Sequence, residues 1–238
     1  MQQDIYDPSF VKEMFNSMSS SYERMNYITS FGFSIRWRKQ FINDLGQSDQ
    51  PVNVLDILSG LGENWKMLIR AYPNASFFAL DFSEKMIQIS SNKNIHSLGN
   101  RFKILNQDLL NNTLKSEAFD IITCAFGLKT FNEPQLDAIA KTIHRILKPN
   151  GRFSFIEVST PHNKFLRLLY KLYLGKIIPV LGKLFLGNPE DYKMLWIYTE
   201  KFGDCTRVKE IFMRNKLEVT FNNYFFGCAS GISGRKII

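Results

Sequence analysis

The chain has 238 residues and carries 30 Lys and Arg against 22 Asp and Glu, a formal net charge of +8. That length suits one α/β domain with a modest extension, and a hydrophobic fraction of 45% can bury a real core. Three scattered cysteines, Cys124, Cys205 and Cys228, form no Cys-x-x-Cys pair, so no metal site and no disulfide framework is expected and a reduced, cytoplasmic setting fits. The polar start lacks the basic and apolar regions of a secretory signal, and no uninterrupted apolar run approaches the ~18 residues of a membrane span. With a pI near 9.3, the surface favours anionic partners: nucleic acid, an acidic membrane face or a charged substrate.

Residues 8–18 read as a short helix with Phe10, Val11, Met14, Phe15 and Met18 on one face, and Pro8 in the first turn where proline is tolerated. A Ser-rich turn carrying Tyr22 and Asn26 follows. Ser34 is placed to cap a second helix, with Ile35, Arg38, Phe41, Ile42 and Leu45 at helical spacing. These segments precede the first strand, so residues 1–46 are expected to fold over a ligand as a lid. The polar linker 47–51 joins them to the core, which takes residues 47–238.

Val52, Val54, Leu55, Ile57 and Leu58 form an apolar strand that ends in Gly60-x-Gly62, and Trp65, Leu68, Ile69 and Tyr72 then line one face of a helix. Such a turn uses residues without Cβ because a ligand approaches its amides closely. Asp56 lies inside the strand, where a carboxylate must be hydrogen-bonded, and either braces the loop or reaches the ligand. The second strand, 76–81, ends in Asp81, 19 residues beyond Gly62 (81 minus 62). A carboxylate so placed accepts hydrogen bonds from two ribose hydroxyls. The residue three past Gly62 is Trp65, not glycine, and no Gly-Lys-Ser/Thr follows, so neither a pyrophosphate cradle nor a phosphate loop is supported.

Ser83 is placed to cap a helix containing Met86 and Ile87; Met86 packs either on an adenine face or in the core. The third strand, 102–108, ends in Asp108, which either accepts an exocyclic amine beside Leu109 or is a solvated turn residue. Residues 119–126 are a continuous buried strand, and a helix over 134–147 stops at Lys148-Pro149-Asn150-Gly151. A fifth strand covers 152–158. Strands alternating with helices give an α/β, doubly wound, Rossmann-like sheet with its ligand crevice at the strands' carboxyl ends.

Residues 162–187 hold Lys164, Arg167, Lys171, Lys176 and Lys183 and no acid, interleaved with apolar side chains. The segment, part of an insertion over 162–200, reads as a helix pair broken at Pro179 that lies on anionic lipid, walls off a greasy pocket, or packs as a plain insertion. A helix over 206–214 precedes two strand-like runs, 217–226 and 228–238, expected as a closing hairpin.

The pattern Asp56-x-x-x-Gly60-x-Gly62 resembles the first motif of class I S-adenosylmethionine methyltransferases. Phe15-Asn16-Ser17-Met18, Tyr22-Glu23-Arg24-Met25-Asn26, Ser30-Phe31-Gly32 and Arg36-Trp37-Arg38 resemble the lid of the ubiquinone/menaquinone biosynthesis C-methyltransferase family. So do Ala125-Phe126-Gly127-Leu128-Lys129, Leu147 to Gly151, Glu157-Val158-Ser159-x-Pro161, Ile178-Pro179-x-x-Gly182 and Gly227 to Lys236. The resemblance implies a seven-stranded sheet with an antiparallel last strand. It also implies S-adenosylmethionine as cofactor, with contacts at Gly60, Leu61, Gly62, Asp81, Asp108, Leu109 and Ala125; Asp56, Ser59, Phe82, Met86 and Tyr22 are further candidate contacts.

The implied reaction places a methyl group on a carbon of a hydrophobic aromatic acceptor such as a prenylated benzoquinol or naphthoquinol; another small hydrophobic metabolite is the alternative. Lys129, Glu157 and His162 are the candidate catalytic residues, and Tyr192 is a candidate pocket residue. The family pattern is departed from at Leu61 (Thr), Glu63 (Asp), Lys129-Thr130 (Arg-Asn) and Ile232-Ser233 (His-Arg). A nucleic-acid substrate is not expected, because neither an Asn/Asp-Pro-Pro-aromatic motif after the fourth strand nor a Pro-Cys nucleophile occurs. Peripheral membrane contact and a homodimer or biosynthetic complex complete the expectations.

Overall fold

The computed structural model describes residues 4–178, 180 and 189–237. Among them, β1 (Asn53–Ile57), β2 (Ser76–Asp81), β3 (Phe102–Asn106), β4 (Phe119–Ala125), β5 (Leu147–Val158), β6 (Leu217–Tyr224) and β7 (Ala229–Lys236) form one seven-stranded sheet. Its order is β3-β2-β1-β4-β5-β7-β6, with β1 to β5 parallel and β7 antiparallel to both β5 and β6. The order reverses direction between β1 and β4, which opens a crevice at their carboxyl ends.

The helices begin where the sequence provides a cap. Asp7 accepts backbone N–H bonds from Ser9 and Phe10 at the start of α1 (Pro8–Met18). Ser83 caps α5 (Glu84–Leu98) through Met86 N, after α4 (Trp65–Ala71), and Asn132 with Gln135 forms a capping box on α6 (Glu133–Ile146). Ser19, Ser20 and Ser21 form the expected turn, but Tyr22 and Asn26 lie beyond it in a helix, α2 (Tyr22–Thr29), and α3 (Phe33–Asn43) has Gly32 rather than Ser34 at its N-cap. Gly32 sits at φ 77, a left-handed conformation that glycine adopts at little cost, so the chain turns one residue pair earlier than the serine signal suggests.

The break at Lys148 to Gly151 also differs: β5 begins at Leu147 and runs through it. Leu147 already pairs with Phe119, and a register shift between Phe119 and Ile121 absorbs the extra residues, with Asn150 at φ 61. The sheet strand β3 is shorter than expected, because Asp108 turns back to bridge Asn111.

Both faces of the sheet are covered. On one, Leu55, Ile122, Phe153 and Phe155 pack against Ile139 and Ile143 of α6 and Val208 and Phe212 of α9 (Thr206–Arg214). On the other, Val54, Ile121 and Ile156 meet Trp65 and Leu68 of α4 and Trp37, Phe41 and Ile42 of α3. Thus α3 is part of the core, fixed further by Ser154 Oγ donating to the Phe41 carbonyl at 2.8 Å.

A third cluster, Met14, Met18, Leu174, Ile178, Trp196 and Tyr198, joins α1 to the segment after β5. That segment comprises α7 (Lys164–Leu172), a π-helical turn (Tyr173–Ile177) and α8 (Pro189–Phe202). The expected break at Pro179, the run from Leu181 through Lys183 to Gly187, and the side chain of Tyr192 lie outside the described residues.

Candidate active site

Two strand tips facing the crevice hold bulky residues in left-handed backbone: Leu58 at φ 51 after β1 and Phe126 at φ 65 after β4. Such conformations persist only where the surroundings impose them, and they mark functional loops. The tips fit because Gly127 is bare: a Cβ there would lie 2.6 Å from Leu58 Cδ1. Past Leu58 the chain swings through Gly60 (φ 51) and Gly62 (φ 70), but the two glycines serve different ends. A Cβ on Gly60 would meet nothing within 4 Å, leaving its face open to a ligand, whereas one on Gly62 would strike the Trp65 ring at 2.5 Å.

Asp81 ties the loop to β2. Its carboxylate accepts Gly60 N at 2.8 Å and Ser83 N at 2.9 Å, and burial raises its pKa against those bonds. Asp56 is wholly buried one layer down and accepts Thr123 Oγ1 at 2.7 Å and Asn64 Nδ2 at 3.1 Å. Desolvation pushes its carboxyl up to about 7, opposed by the Thr123 and Asn64 hydrogen bonds. Asp56 therefore braces the loop from below.

Above these residues lies a cavity of about 40 Å³ lined by Ser59, Gly60, Asp81, Phe82, Met86 and Ala125, with Phe15 and Tyr22 closing it from α1 and α2. Arg38 and Glu63 line it too, paired at 2.7 Å, and the Arg38 guanidinium stacks over the Phe126 ring at 4.7 Å. Three buried polar atoms here, Ser59 Oγ, Asn64 Oδ1 and Arg38 Nε, have no hydrogen-bond partner within the protein. Buried polar atoms are rarely left so, and three around one cavity fit a polar ligand that satisfies them.

A second cavity, of about 270 Å³, adjoins the first and is walled by Met14, Met18, Phe31, Phe33, Trp37, Tyr170, Tyr173 and Leu174, among others. Among the described residues, Lys129 is its one charged lining group. Lys129 Nζ donates to Glu157 Oε1 at 2.7 Å and to the Phe126 carbonyl at 3.2 Å. Glu157 is completely buried and also accepts Lys129 N at 3.1 Å and Val158 N at 2.7 Å. Its carboxylate is thus saturated by its neighbours. Phe15, Tyr22, Phe126 and Thr130 line both cavities and form the partition between them. Burial and the nearby Glu63 push the Tyr22 hydroxyl above its usual range, so it stays a neutral phenol.

Of the residues singled out from sequence, Ser59, Gly60, Asp81, Phe82, Met86, Ala125 and Tyr22 converge on the smaller cavity, and Lys129 and Tyr22 on the larger. Asp56, Leu61 and Gly62 sit behind the loop; Leu61 is buried and its carbonyl accepts Lys93 Nζ at 3.2 Å. Leu109 is in the core, and Asp108 accepts Leu110 N at 2.9 Å in a local turn; neither lines either of these two cavities. Glu157 reaches the larger cavity only through Lys129. His162 is exposed, 3.1 Å from Asp204, and faces neither cavity. Sequence reasoning passed over Arg38, Asn64 and Phe126 as ligand-facing residues. Arg38 did carry a signal, since it is the one charge on an otherwise apolar helical stripe.

A doubly wound sheet with an antiparallel β7, a glycine loop tied to the acid at the β2 tip, and orphaned polar atoms above them define a class I S-adenosylmethionine-dependent methyltransferase. The fold agrees with solved structures: a methyltransferase from Thermotoga maritima (TM-score 0.64, 16% identity, 94% of this chain and 98% of that one). A second is magnesium protoporphyrin IX methyltransferase from Synechocystis PCC 6803 (TM-score 0.63, 16% identity, 98% and 100% covered). The chain belongs to the ubiE/COQ5 methyltransferase family, which it matches over residues 2–236. Curated relatives include the demethylmenaquinone methyltransferases of Chlamydia muridarum, 31% identical over 90% of both chains, and of Lactococcus lactis, 31% identical over 86% of this chain and 80% of that one.

Proposed function

We propose that this enzyme methylates a ring carbon of a prenylated quinol precursor of the demethylmenaquinone type. The observation that carries the reading is the pair of adjoining cavities, the smaller with Arg38, Ser59, Glu63, Asn64 and Asp81 in its wall and the larger almost wholly apolar, that share Phe15, Tyr22, Phe126 and Thr130. S-adenosylmethionine, when bound, supplies a sulfonium methyl that is already activated. Asp81 is assigned to its ribose, Gly60 and Ser59 to its amino-acid end, and Phe82 and Met86 to its base. The name of the curated relatives, demethylmenaquinone methyltransferase, and the greasy walls of the larger cavity support the acceptor assignment.

The protein's task is then alignment and exclusion of water. Rings from α1, α2 and α3 close over the junction, while Leu166, Tyr170, Leu174, Ile178 and Leu195 wall the far side of the acceptor cavity. Residues 1–46 serve as the lid on the 47–238 domain, with α3 as its anchored end. Lys129 Nζ is held by Glu157 where an acceptor hydroxyl enters, and its charge favours the phenolate, which makes the ring carbon more nucleophilic. The reading extends to a cytoplasmic enzyme peripheral to a membrane, acting as a homodimer or in a biosynthetic complex.

The test is incubation with methyl-labelled S-adenosylmethionine and a short-tailed demethylmenaquinol, followed by mass spectrometry. Label on a ring carbon is expected. Intact binding of S-adenosylhomocysteine with no transfer to this acceptor overturns the quinol assignment.

A further inference from the structure

Helix α7 is apolar on two faces. Leu166 and Tyr170 point inward and line the large cavity, followed by Tyr173 and Leu174 of the π-helical turn. On the opposite side Phe165, Leu168, Leu169 and Leu172 recur at i, i+3, i+4 and i+7, and they are 71%, 55%, 46% and 41% exposed. A stripe at that spacing normally faces a core; this one faces outward, and α7 has no buried residue at all. Lys164, Arg167, Lys171 and Lys176 accompany it with no acid between them, although Lys171 also reaches Glu200 of α8 at 3.8 Å.

The rim of the same cavity adds exposed rings. Phe31 stacks on Tyr173 at 5.5 Å between centroids, and Phe225 packs on Phe33 at 4.3 Å and on Phe226 at 5.5 Å. Phe31 and Phe226 are 78% and 79% exposed. Phe31, Phe225 and Phe226 all hold left-handed backbone, with φ of 49, 44 and 54. Large side chains adopt that conformation at a cost, and here the cost presents rings to the outside rather than to a core.

We infer that α7 and the rings of Phe31 and Phe226 form a docking face for an anionic lipid bilayer, with the mouth of the acceptor cavity opening at its edge. The outward stripe sinks into the headgroup–acyl boundary and the flanking cations meet anionic headgroups, as in an interfacial helix. Among the described residues no helix is long and apolar enough to cross a membrane, so the face lies on the bilayer. Entry of a prenylated acceptor from the lipid, past Leu166 and Tyr170, rests on the quinol reading; the docking itself does not.

The experiment is co-sedimentation of the full chain with vesicles of phosphatidylcholine, with and without phosphatidylglycerol. It compares the wild type with the triple variant Phe165→Gln, Leu168→Gln, Leu172→Gln, whose glutamines keep helix propensity. None of the three lines a cavity, so affinity for S-adenosylhomocysteine, measured by calorimetry, reports intact folding. Expected are binding to the anionic vesicles that salt weakens, and a loss of about tenfold or more in the variant at unchanged S-adenosylhomocysteine affinity. Absence of wild-type binding to anionic vesicles, or equal binding by the variant, overturns the proposal. So does a wild-type dimer, seen by ultracentrifugation, that the triple variant dissolves while neither protein binds vesicles. No arm uses the methyl acceptor, so failure here is distinct from failure of the quinol assignment.

Discussion

The two cavities are built by different rules. The smaller is made of strand tips and the loops next to them: Ser59, Gly60 and Asn64 after β1, Asp81 and Phe82 after β2, Ala125 to Gly127 after β4. Its specificity resides in backbone shape and in polar atoms that lack partners, which lone positions in a short sequence window can encode. The larger collects rings and methionines from Met14 to Cys228, brought together only by the packing of α1, α2, α3 and α7 around β5 and β7. On the proposed assignment, polar groups would set orientation on the cofactor side and shape on the acceptor side. Lys129 is the exception, the single charge on the apolar side among the described residues, so it is the sharpest place to separate the two.

Replacing Lys129 with Gln strands the buried Glu157 carboxylate, and loss of one member of a buried pair costs about 3–5 kcal/mol. A large drop in melting temperature is expected, together with a fall in turnover of about 10²–10³-fold if the ammonium holds acceptor charge. Adding Glu157→Gln should recover much of the stability but not the turnover. If the double variant recovers both, Lys129 is a structural partner only.

Asp81→Ala breaks the polar side instead. Two charge-assisted hydrogen bonds to a ribose, at about 1.5–3 kcal/mol each, predict affinity for S-adenosylhomocysteine weaker by about 10²–10⁴-fold in titration calorimetry. Asp81→Asn, which keeps one acceptor, should lose less. Unchanged affinity in the alanine variant would sink the ribose assignment.

Gly60 and Gly62, one residue apart, split the glycine loop into an open half and a packing half. Gly62→Ala drives a Cβ to 2.5 Å from the Trp65 ring at φ 70, so overpacking and backbone strain together should cost about 2–4 kcal/mol of stability. Gly60→Ala meets open space and carries only the left-handed strain, about 1 kcal/mol, so its main effect should be on cofactor affinity. Equal melting temperatures for the two variants would contradict this division.

The same contrast explains what could be read from the chain before its structure was known. The sheet, the Gly60 loop, Asp81 and the Ser83 cap were legible because each is a local pattern with one physical cause. Helix α2 was not, since the short run Tyr22 to Thr29 follows three serines that read as a turn; so short a helix forms through packing over the cavity. Nor was the fate of Glu157, near the end of β5, and of His162, just past it. Glu157 turns inward to bond Lys129, whereas His162 lies in the bend before α7, exposed beside Asp204, where strand alternation gives no guide. The acceptor cavity was legible only as an excess of apolar residues, because the identity of its walls depends on how distant helices cross.

A smaller test concerns the layer beneath the cofactor loop. Asp56 has a pKa near 7 in the folded protein, raised by desolvation, against the ordinary 3.8 of an exposed aspartate. Between those values the folded protein keeps a proton that the unfolded chain has released, so stability falls as pH rises through this window and levels above it. Asp56→Asn removes that titration while an amide oxygen remains to accept from Thr123 Oγ1. The stability of the variant relative to wild type should therefore rise by about 2–3 kcal/mol between pH 5 and pH 8, read from denaturant unfolding at both. A difference independent of pH would mean that Asp56 is ionised throughout, held by Thr123, Asn64 and the more distant Arg38, and that the loop rests on a buried charge rather than on a neutral acid.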